Sequence, residues 1–304
     1  MAFRVILIEN EVTIKVKLNN LIVTKSGEDI WIPLEDISMI VLDNLSSMLS
    51  ARLLCQLSEQ GIGLMICNQE HLPTGFYSAY ANHSRTSKVI GYQIEKDTGY
   101  YDRIWKKIIE VKIQNQAKAY LKIMDDKEGA GQIFSFSKDI IDGDKSNREA
   151  HAAKVYFNLL MGTSFSRGNE NILLNSGLDY GYAVIRSYIA RACVGYGLNI
   201  QIGIHHKSEY NRFNLVDDLM EPIRPVVDVV AYKIMERDQY FKPEHRRQLV
   251  NVLNMKIKYR DKKMYVCNMI ENYVEQFASL IMGRTTEIIF PDLNKFLGEE
   301  IDEI

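Results

Sequence analysis

The sequence has no excess of positive charge, no paired cysteines and no long apolar run, and each absence weakens a class of function. Lys and Arg number 37 against 39 Asp and Glu, a formal net charge of −2, so the overall basicity that marks many nucleic-acid binders is missing. Cys55, Cys67, Cys193 and Cys267 form no CxxC pair, which leaves a zinc knuckle or a disulfide framework without support and fits a reducing compartment. The start, MAFRVILIEN, lacks the basic and apolar regions of a secretory signal. No apolar run approaches the roughly 20 residues of a membrane span. A soluble, cytoplasmic protein without a membrane partner is expected. GxxxxGKS/T, HExxH and GxSxG are also absent, so phosphate-loop, zincin and serine-hydrolase chemistries have no foothold.

What is present is an ordinary globular composition, 46% apolar and 25% charged, over 304 residues, long enough for two domains and a sizeable core. Charge is uneven along the chain. Residues 1–90 hold 7 basic against 9 acidic residues, whereas residues 91–297, before the acidic Glu299, Glu300, Asp302 and Glu303, hold 30 against 26. That mild excess permits a DNA-binding face.

Apolar alternation predicts strands over residues 3–8, 12–18, 21–23, 30–32 and 37–42, with Val12, Ile14, Val16 and Leu18 on one face and a turn at Asn19-Asn20. This reads as an antiparallel, β-rich start. A helix is expected from about Ser47 to Gln60 and a buried strand at Ile62–Cys67. Residues 71–90, with Pro73, Gly75, Asn82 and Ser84, read as a linker. Beyond it helical spacing dominates, through Ile104, Ile108 and Val111, then Ala153, Phe157 and Leu160, then Leu178 to Cys193. The expected class is α+β: a small β-rich N-terminal domain over residues 1–90, its linker included, followed by a larger, all-helical C-terminal domain over 91–304.

Three stretches concentrate groups suited to metal-assisted phosphodiester chemistry: Asn147-Arg148-Glu149, His205-His206, and the run from Asp217-Asp218 through Glu221-Pro222 to Arg224-Pro225. Hard carboxylate oxygens with an imidazole suit Mg²⁺ or Mn²⁺, the imidazole tilting the choice toward Mn²⁺. Each stretch also has a purely structural reading. Ser146 to Glu149 fits a capping box, although Glu149 shares a helix face with Ala153, Tyr156 and Leu160, where a carboxylate wants a counter-charge. Asp218 to Glu221 fits a second box, complicated by Pro222; a helix starting at Pro222 or Pro225 is equally compatible. His205-His206 closes the alternating run Ile200–Ile204, and parity does not choose between the two imidazoles. Lys207, Arg148, Arg167, Arg186, Arg191, Arg212 and Arg224, with Asn211 and Asn214, are candidates for gripping phosphate. Tyr180, Tyr182, Tyr188 and Tyr196 read as core rather than as base-stacking platforms.

Taken together, the segments Ser146-Asn147-Arg148-Glu149 to Phe157, Asn175-Ser176-Gly177-Leu178-Asp179-Tyr180-Gly181-Tyr182, and Gly203-Ile204-His205-His206 leading to Asp218-Leu219-Met220-Glu221-Pro222 resemble the CRISPR-associated spacer integrases, the Cas-one family, in its type II branch. The resemblance covers most of the helical part and agrees with the β-rich start. It implies an N-terminal domain used for homodimerisation and a C-terminal catalytic domain in which Glu149, His206 and Glu221 hold Mg²⁺ or Mn²⁺, with Asp218 as support or a further ligand. The Gly-x-x-His step of the family selects His206 over His205. The implied reaction is attack of a captured DNA fragment's 3′-hydroxyl on a phosphodiester at the edge of a CRISPR repeat, which inserts the fragment as a new spacer; with water as nucleophile the same site is an endonuclease. The implied partners are double-stranded DNA fragments, repeat DNA and a small second adaptation protein, itself a dimer. Arg148, Lys207, Arg212 and Arg224 lie closest in sequence to the ligands and are the expected DNA contacts. Two rivals remain: a stand-alone metal-dependent nuclease, and a catalytically silent DNA-binding scaffold whose carboxylates only cap helices.

Overall fold

The structure is a computed structural model and describes residues 4–79, 83–169, 172–236 and 238–296. The N-terminal part begins with strand β1 (Arg4–Ile8), then β2 (Thr13–Lys17), β3 (Asn20–Lys25) and β4 (Glu28–Pro33), followed by β5 (Ile37–Leu42) and the short β6 (Met48–Leu49). Helix α1 (Ala51–Glu59), β7 (Gly63–Cys67) and β8 (Pro73–Tyr77) complete it. Phe3 lies outside the described residues.

Two sheets result, in the orders β1-β5-β7-β8 and β4-β3-β2-β6. The expected antiparallel start holds only for β2, β3 and β4. Strands β1, β5 and β7 pair in parallel, and β8 joins antiparallel at the edge. Each parallel pair has its crossover: β2 to β4 carry the chain back between β1 and β5, and α1 returns it to the same end of the sheet before β7 begins. The central strand β5, Ile-Ser-Met-Ile-Val-Leu, is buried at every position, as a strand covered on both faces requires.

Local chemistry sets several boundaries. Ser50 accepts a hydrogen bond from the Leu53 backbone N–H at 3.2 Å and so caps α1. The helix therefore starts later than the leucine spacing predicts, because Met48 and Leu49 pair with Thr13 and Ile14. The β2–β3 turn is Leu18-Asn19, one residue earlier than expected, with both residues at positive φ (48° and 58°) as a two-residue hairpin demands. Leu18 accordingly points into solvent, 80% exposed, and leaves the face it was expected to share with Val16. The presumed linker contains β8 and the first half of α2 (Thr86–Glu95). Pro73 and Gly75, read as breakers, are accommodated because Pro73 opens an edge strand and Gly75 faces the Ile66 side chain, where a Cβ would lie 3.3 Å from it. Asn82 lies outside the described residues.

The C-terminal part is mostly helical: α3 (Thr98–Met124), α4 (Lys127–Ser135), α5 (Arg148–Met161), α6 (Leu173–Gly195), α7 (Asn214–Met220), α8 (Arg224–Met235) and α9 (Pro243–Asn251). A hairpin of β9 (Lys256–Tyr259) and β10 (Lys262–Tyr265), which the helical expectation omitted, precedes α10 (Val266–Ile281). Among the described residues no helix is long and apolar enough to cross a membrane.

The first sheet divides its side chains by parity. Val5, Met39, Val41, Met65 and Cys67 join the core of the helical part, whereas Ile8, Ile40, Leu42 and Leu64 pack with Leu53, Leu57, Ile14 and Leu21 in a separate N-terminal core. Polar contacts reinforce the seam. Buried Asp43 accepts from Arg246 Nε at 2.7 Å, and Asn254 bonds both backbone groups of Val5. Leu18→Asn should relieve the cost of a bulky left-handed residue and stabilise the chain by about 1 kcal/mol, measured as a raised urea midpoint.

Candidate active site

The buried stripe of α3 runs Ile104, Trp105, Ile108, Ile109, Lys112, Ile113 and Gln116, so one ammonium is folded into an apolar face. Val111, predicted on that stripe, is only half-buried. A lysine so placed needs anions, and two reach it. Nζ of Lys112 lies 2.6 Å from Glu149 Oε1 and 2.5 Å from Glu221 Oε2, with its side chain 9% exposed. The two carboxylate oxygens therefore lie within about 5 Å of each other. Burial alone would depress the Lys112 pKa, but the charges of Glu221 and Glu149 hold it above the ordinary lysine value. Burial works against the Glu221 carboxylate in the same way and is outweighed by Arg224 and Lys112, so its pKa is lowered.

Glu149 is free for this contact because it does not cap its helix. Asp144, not Ser146, supplies the cap: its carboxylate accepts from the backbone N–H groups of Arg148 at 2.8 Å and Glu149 at 2.9 Å, while Asn147 enters α5 in the left-handed region. Glu221 follows α7 and keeps helical φ and ψ despite Pro222. Its Oε1 accepts from Arg224 Nε at 2.9 Å, and the Arg224 guanidinium stacks over Tyr182 at 4.6 Å. Glu221 Oε2, next to Lys112, makes no aligned hydrogen bond of its own.

The histidine pair is shaped by Asp218, which is fully buried. One carboxylate collects the backbone N–H groups of Ile204 (2.5 Å), His205 (3.0 Å) and His206 (3.2 Å) and contacts His206 Nδ1 at 2.6 Å. The loop can close this tightly only because residue 203 is glycine: a Cβ there would lie 2.1 Å from the His206 carbonyl oxygen and 3.0 Å from Asp218 Oδ2. His205 lies flat on Trp105, with ring centroids 4.4 Å apart, and His206 meets the same indole edge-on. The hydrogen bond from Asp218 raises the His206 pKa against the effect of burial, and the charges of Asp218, Glu221 and Glu149 add to it. His206 remains 40% exposed. It borders a cavity of about 450 Å³, lined also by Lys207, Ser208 and Arg212.

Glu149 and Glu221 thus converge on one point and His206 faces the same negative field. Asp218 has all its accepting capacity directed at the loop and serves as support. Asp217 points elsewhere, to Arg186 Nε and Asn211 Nδ2, both at 2.8 Å. Among the described residues no three His, Cys, Asp or Glu side chains are already spaced around a metal ion; the Lys112 ammonium fills the gap between the carboxylates. The donor chemistry nonetheless suits a hard divalent cation. Two carboxylates meet, one with an oxygen lacking an aligned donor, and an imidazole turns Nδ1 to a carboxylate, the outer-shell arrangement typical of a metal-ligating histidine.

A sequence profile described as CRISPR associated protein Cas1 matches residues 5–266. The chain belongs to the Cas1 family. It is 32% identical over 290 residues to the CRISPR-associated endonuclease Cas1 of Neisseria meningitidis serogroup C, covering 94% of this chain and 95% of that protein. It is 28% identical over 206 residues to a Cas1 endonuclease of Francisella tularensis subsp. novicida, covering 58% and 64%. Solved structures with the same fold include a casposase bound to integration product (TM-score 0.75, 18% identity, 99% and 98% covered) and a Cas1 protein from Thermotoga maritima (TM-score 0.74, 17% identity, 95% and 99% covered).

Sequence reasoning on this Cas1 chain missed Lys112, Trp105 and Asp144. The signal for Lys112 was a charge seven residues after Trp105 and four after Ile108, on the buried stripe. Of the basic candidates, Lys207 and Arg212 are exposed and Arg148 is half-buried. Arg224 is held by Glu221, Arg186 by Asp217, Arg167 by Asn175 and Asp179, and Arg191 by Glu271. Asn211 donates to Asp217 of α7 at 2.8 Å, and Asn214 donates to the Ser208 carbonyl at 2.9 Å. Tyr180, Tyr182 and Tyr188 are core residues, as expected, and Tyr196 is half-buried.

Two outcomes follow from this geometry. Gly203→Ala should displace the His206 carbonyl and cost about 1–3 kcal/mol by overpacking, seen as a lowered urea midpoint. Asp228, buried in α8 and bonded to the Tyr182 hydroxyl, is pushed by burial from 3.8 to about 6. Between about pH 4 and 6 folded Asp228 keeps a proton that it releases in the unfolded chain, so its contribution to stability should fall as pH rises through that window. Asp228→Asn should flatten the slope, read from urea midpoints across that range.

Proposed function

We propose that this Cas1 chain is a metal-dependent DNA integrase of CRISPR adaptation, acting in the cytoplasm. It joins the 3′-hydroxyl of a captured duplex fragment to a phosphodiester at the edge of a repeat. The observation that carries the reading is the meeting of Glu149 and Glu221 around a single cation beside a histidine oriented by a buried aspartate. Neither Glu149 nor Glu221 caps a helix, which counts against a scaffold whose carboxylates serve only as caps.

Glu149, Glu221 and His206 are the residues that would hold Mg²⁺ or Mn²⁺. When bound, the ion lowers the pKa of the attacking hydroxyl and offsets charge accumulating at phosphorus. The chain supplies the rest. Asp218 fixes the loop and occupies His206 Nδ1, leaving Nε2 as the ring's ligand position. Arg224 holds Oε1 of Glu221 and so limits rotation of that carboxylate. Lys207 and Arg212, exposed and lining the cavity, are the first candidates for DNA phosphates, followed by the half-buried Arg148 and Arg224.

The structural relatives support the DNA and protein partners of this reading. One is a casposase holding an integration product, another a Cas6-RT-Cas1–Cas2 complex (TM-score 0.73, 17% identity). For this chain the proposed partners are fragment and repeat DNA and a small second adaptation protein of the Cas2 type. A homodimer through the N-terminal part is favoured by the apolar edge of the second sheet, where Ile30 and Trp31 of β4 are 56% and 45% exposed.

The test is strand joining by the full chain with its small partner, Mn²⁺ or Mg²⁺, a 3′-hydroxyl duplex fragment and a repeat-containing duplex. Joined product is expected, and Glu149→Ala should reduce it at least about 100-fold with an unchanged circular dichroism spectrum. Cleavage without joining would favour the stand-alone nuclease. Full joining by Glu149→Ala would remove the site assignment. In the same system Lys207→Ala and Arg212→Ala should each weaken DNA binding and lower its salt slope by about one.

A further inference from the structure

The cation between the two carboxylates belongs to the protein. We propose that Lys112 is a resident counter-cation that holds Glu149 and Glu221 together in the metal-free site and must leave the space between them when a divalent ion enters. This rests on the metal-binding reading of the site.

Three observations lead there. The ammonium touches one oxygen of each glutamate, at 2.6 and 2.5 Å. An ion bound to the same two oxygens would lie about 2.1 Å from each, inside the volume that Nζ now fills. Nitrogen and ion cannot both sit there.

The second observation is the charge balance. The charges of the two glutamates are already matched by Lys112 and Arg224, while the Asp218 carboxylate is taken up by the loop N–H groups and His206. A divalent ion added beside an unmoved ammonium would bring excess positive charge into a buried cluster, which is strongly disfavoured. Lys112 is the cation that can yield. Arg224 is fixed by its bond to Oε1 and by stacking over Tyr182, whereas Lys112 carries a single nitrogen on a four-carbon stem.

The third is the division of labour on Glu221. Arg224 takes Oε1 and Lys112 takes Oε2, the oxygen with no aligned hydrogen bond. Exchange of ammonium for metal alters only Oε2 and leaves the carboxylate anchored through the other oxygen. Metal loading is then a replacement, and its affinity is reduced by whatever Lys112 contributes to the empty site. Lys112 is a positioning residue in this scheme.

The experiment uses the full chain and Mn²⁺ or Mg²⁺ alone. Wild type and Lys112→Met are unfolded thermally in EDTA and titrated with MnCl₂ in a calorimeter. Lys112→Met should melt lower than wild type without metal, bind Mn²⁺ at least tenfold more tightly, and regain most of the difference in melting temperature at saturating Mn²⁺. Should Lys112→Met fail to fold, lysine-¹⁵N-labelled wild type gives the answer: the Lys112 ¹⁵Nζ resonance, assigned by its loss in Lys112→Arg, should shift or vanish on adding Mg²⁺. Equal or weaker Mn²⁺ binding by Lys112→Met, or an unmoved resonance at saturating Mg²⁺, would overturn the exchange while leaving the metal site standing. Wild type that binds neither ion would overturn both.

Discussion

One ammonium between two carboxylates organises the helical part of this protein. Glu149 enters on α5, Glu221 follows α7, and Lys112 comes from the middle of α3, three elements far apart in sequence that are obliged to meet because none of the three charges is tolerated alone at such burial. Leaving one member of a buried pair unpaired costs about 3–5 kcal/mol, comparable to a large part of a domain's net stability. The helices are therefore positioned by electrostatics at this point as well as by apolar packing. The same arrangement brings one hard oxygen from each glutamate to within 2.6 Å of a single small cation.

Around that contact the polar groups divide between chemistry and support. Asp144 takes the α5 cap and so frees Glu149. Asp218 takes three backbone N–H groups and one imidazole nitrogen, and so aims His206. Arg224 takes one oxygen of Glu221. In each case a neighbouring charged group removes a degree of freedom from a candidate site residue, and the Trp105 indole stacks on His205 and meets His206 edge-on. The most exposed of the three is His206, which lies beside Lys207 and Arg212 at the cavity.

The N-terminal sheet ties this site to the rest of the molecule. Its central strand is buried on both faces, so the helical part and the N-terminal core share one layer, and the Asp43–Arg246 pair crosses the same seam. The other sheet keeps an apolar edge toward solvent.

Local spacing and chemistry were enough to read the α+β class, the strands of the N-terminal part, the main helices and the short stretches containing Glu149, His206, Asp218 and Glu221. These features repeat within a few residues, and periodicity reports which face of an element is buried. Periodicity carries no information about partners. It read β1 and β5 into an antiparallel start although they pair in parallel, because a parallel pair and an antiparallel one alternate identically; it assigned Pro73 and Gly75 to a linker, because edge placement is not a local property. It placed Ser146 and Glu149 in a capping box that Asp144, four residues before the start of the helix, pre-empts. Above all, a lysine on an apolar stripe announces that a counter-charge is needed without saying which. Only the tertiary structure supplies Glu149 and Glu221 as that answer, since the choice depends on which distant carboxylates the packing of three helices leaves within reach of one nitrogen.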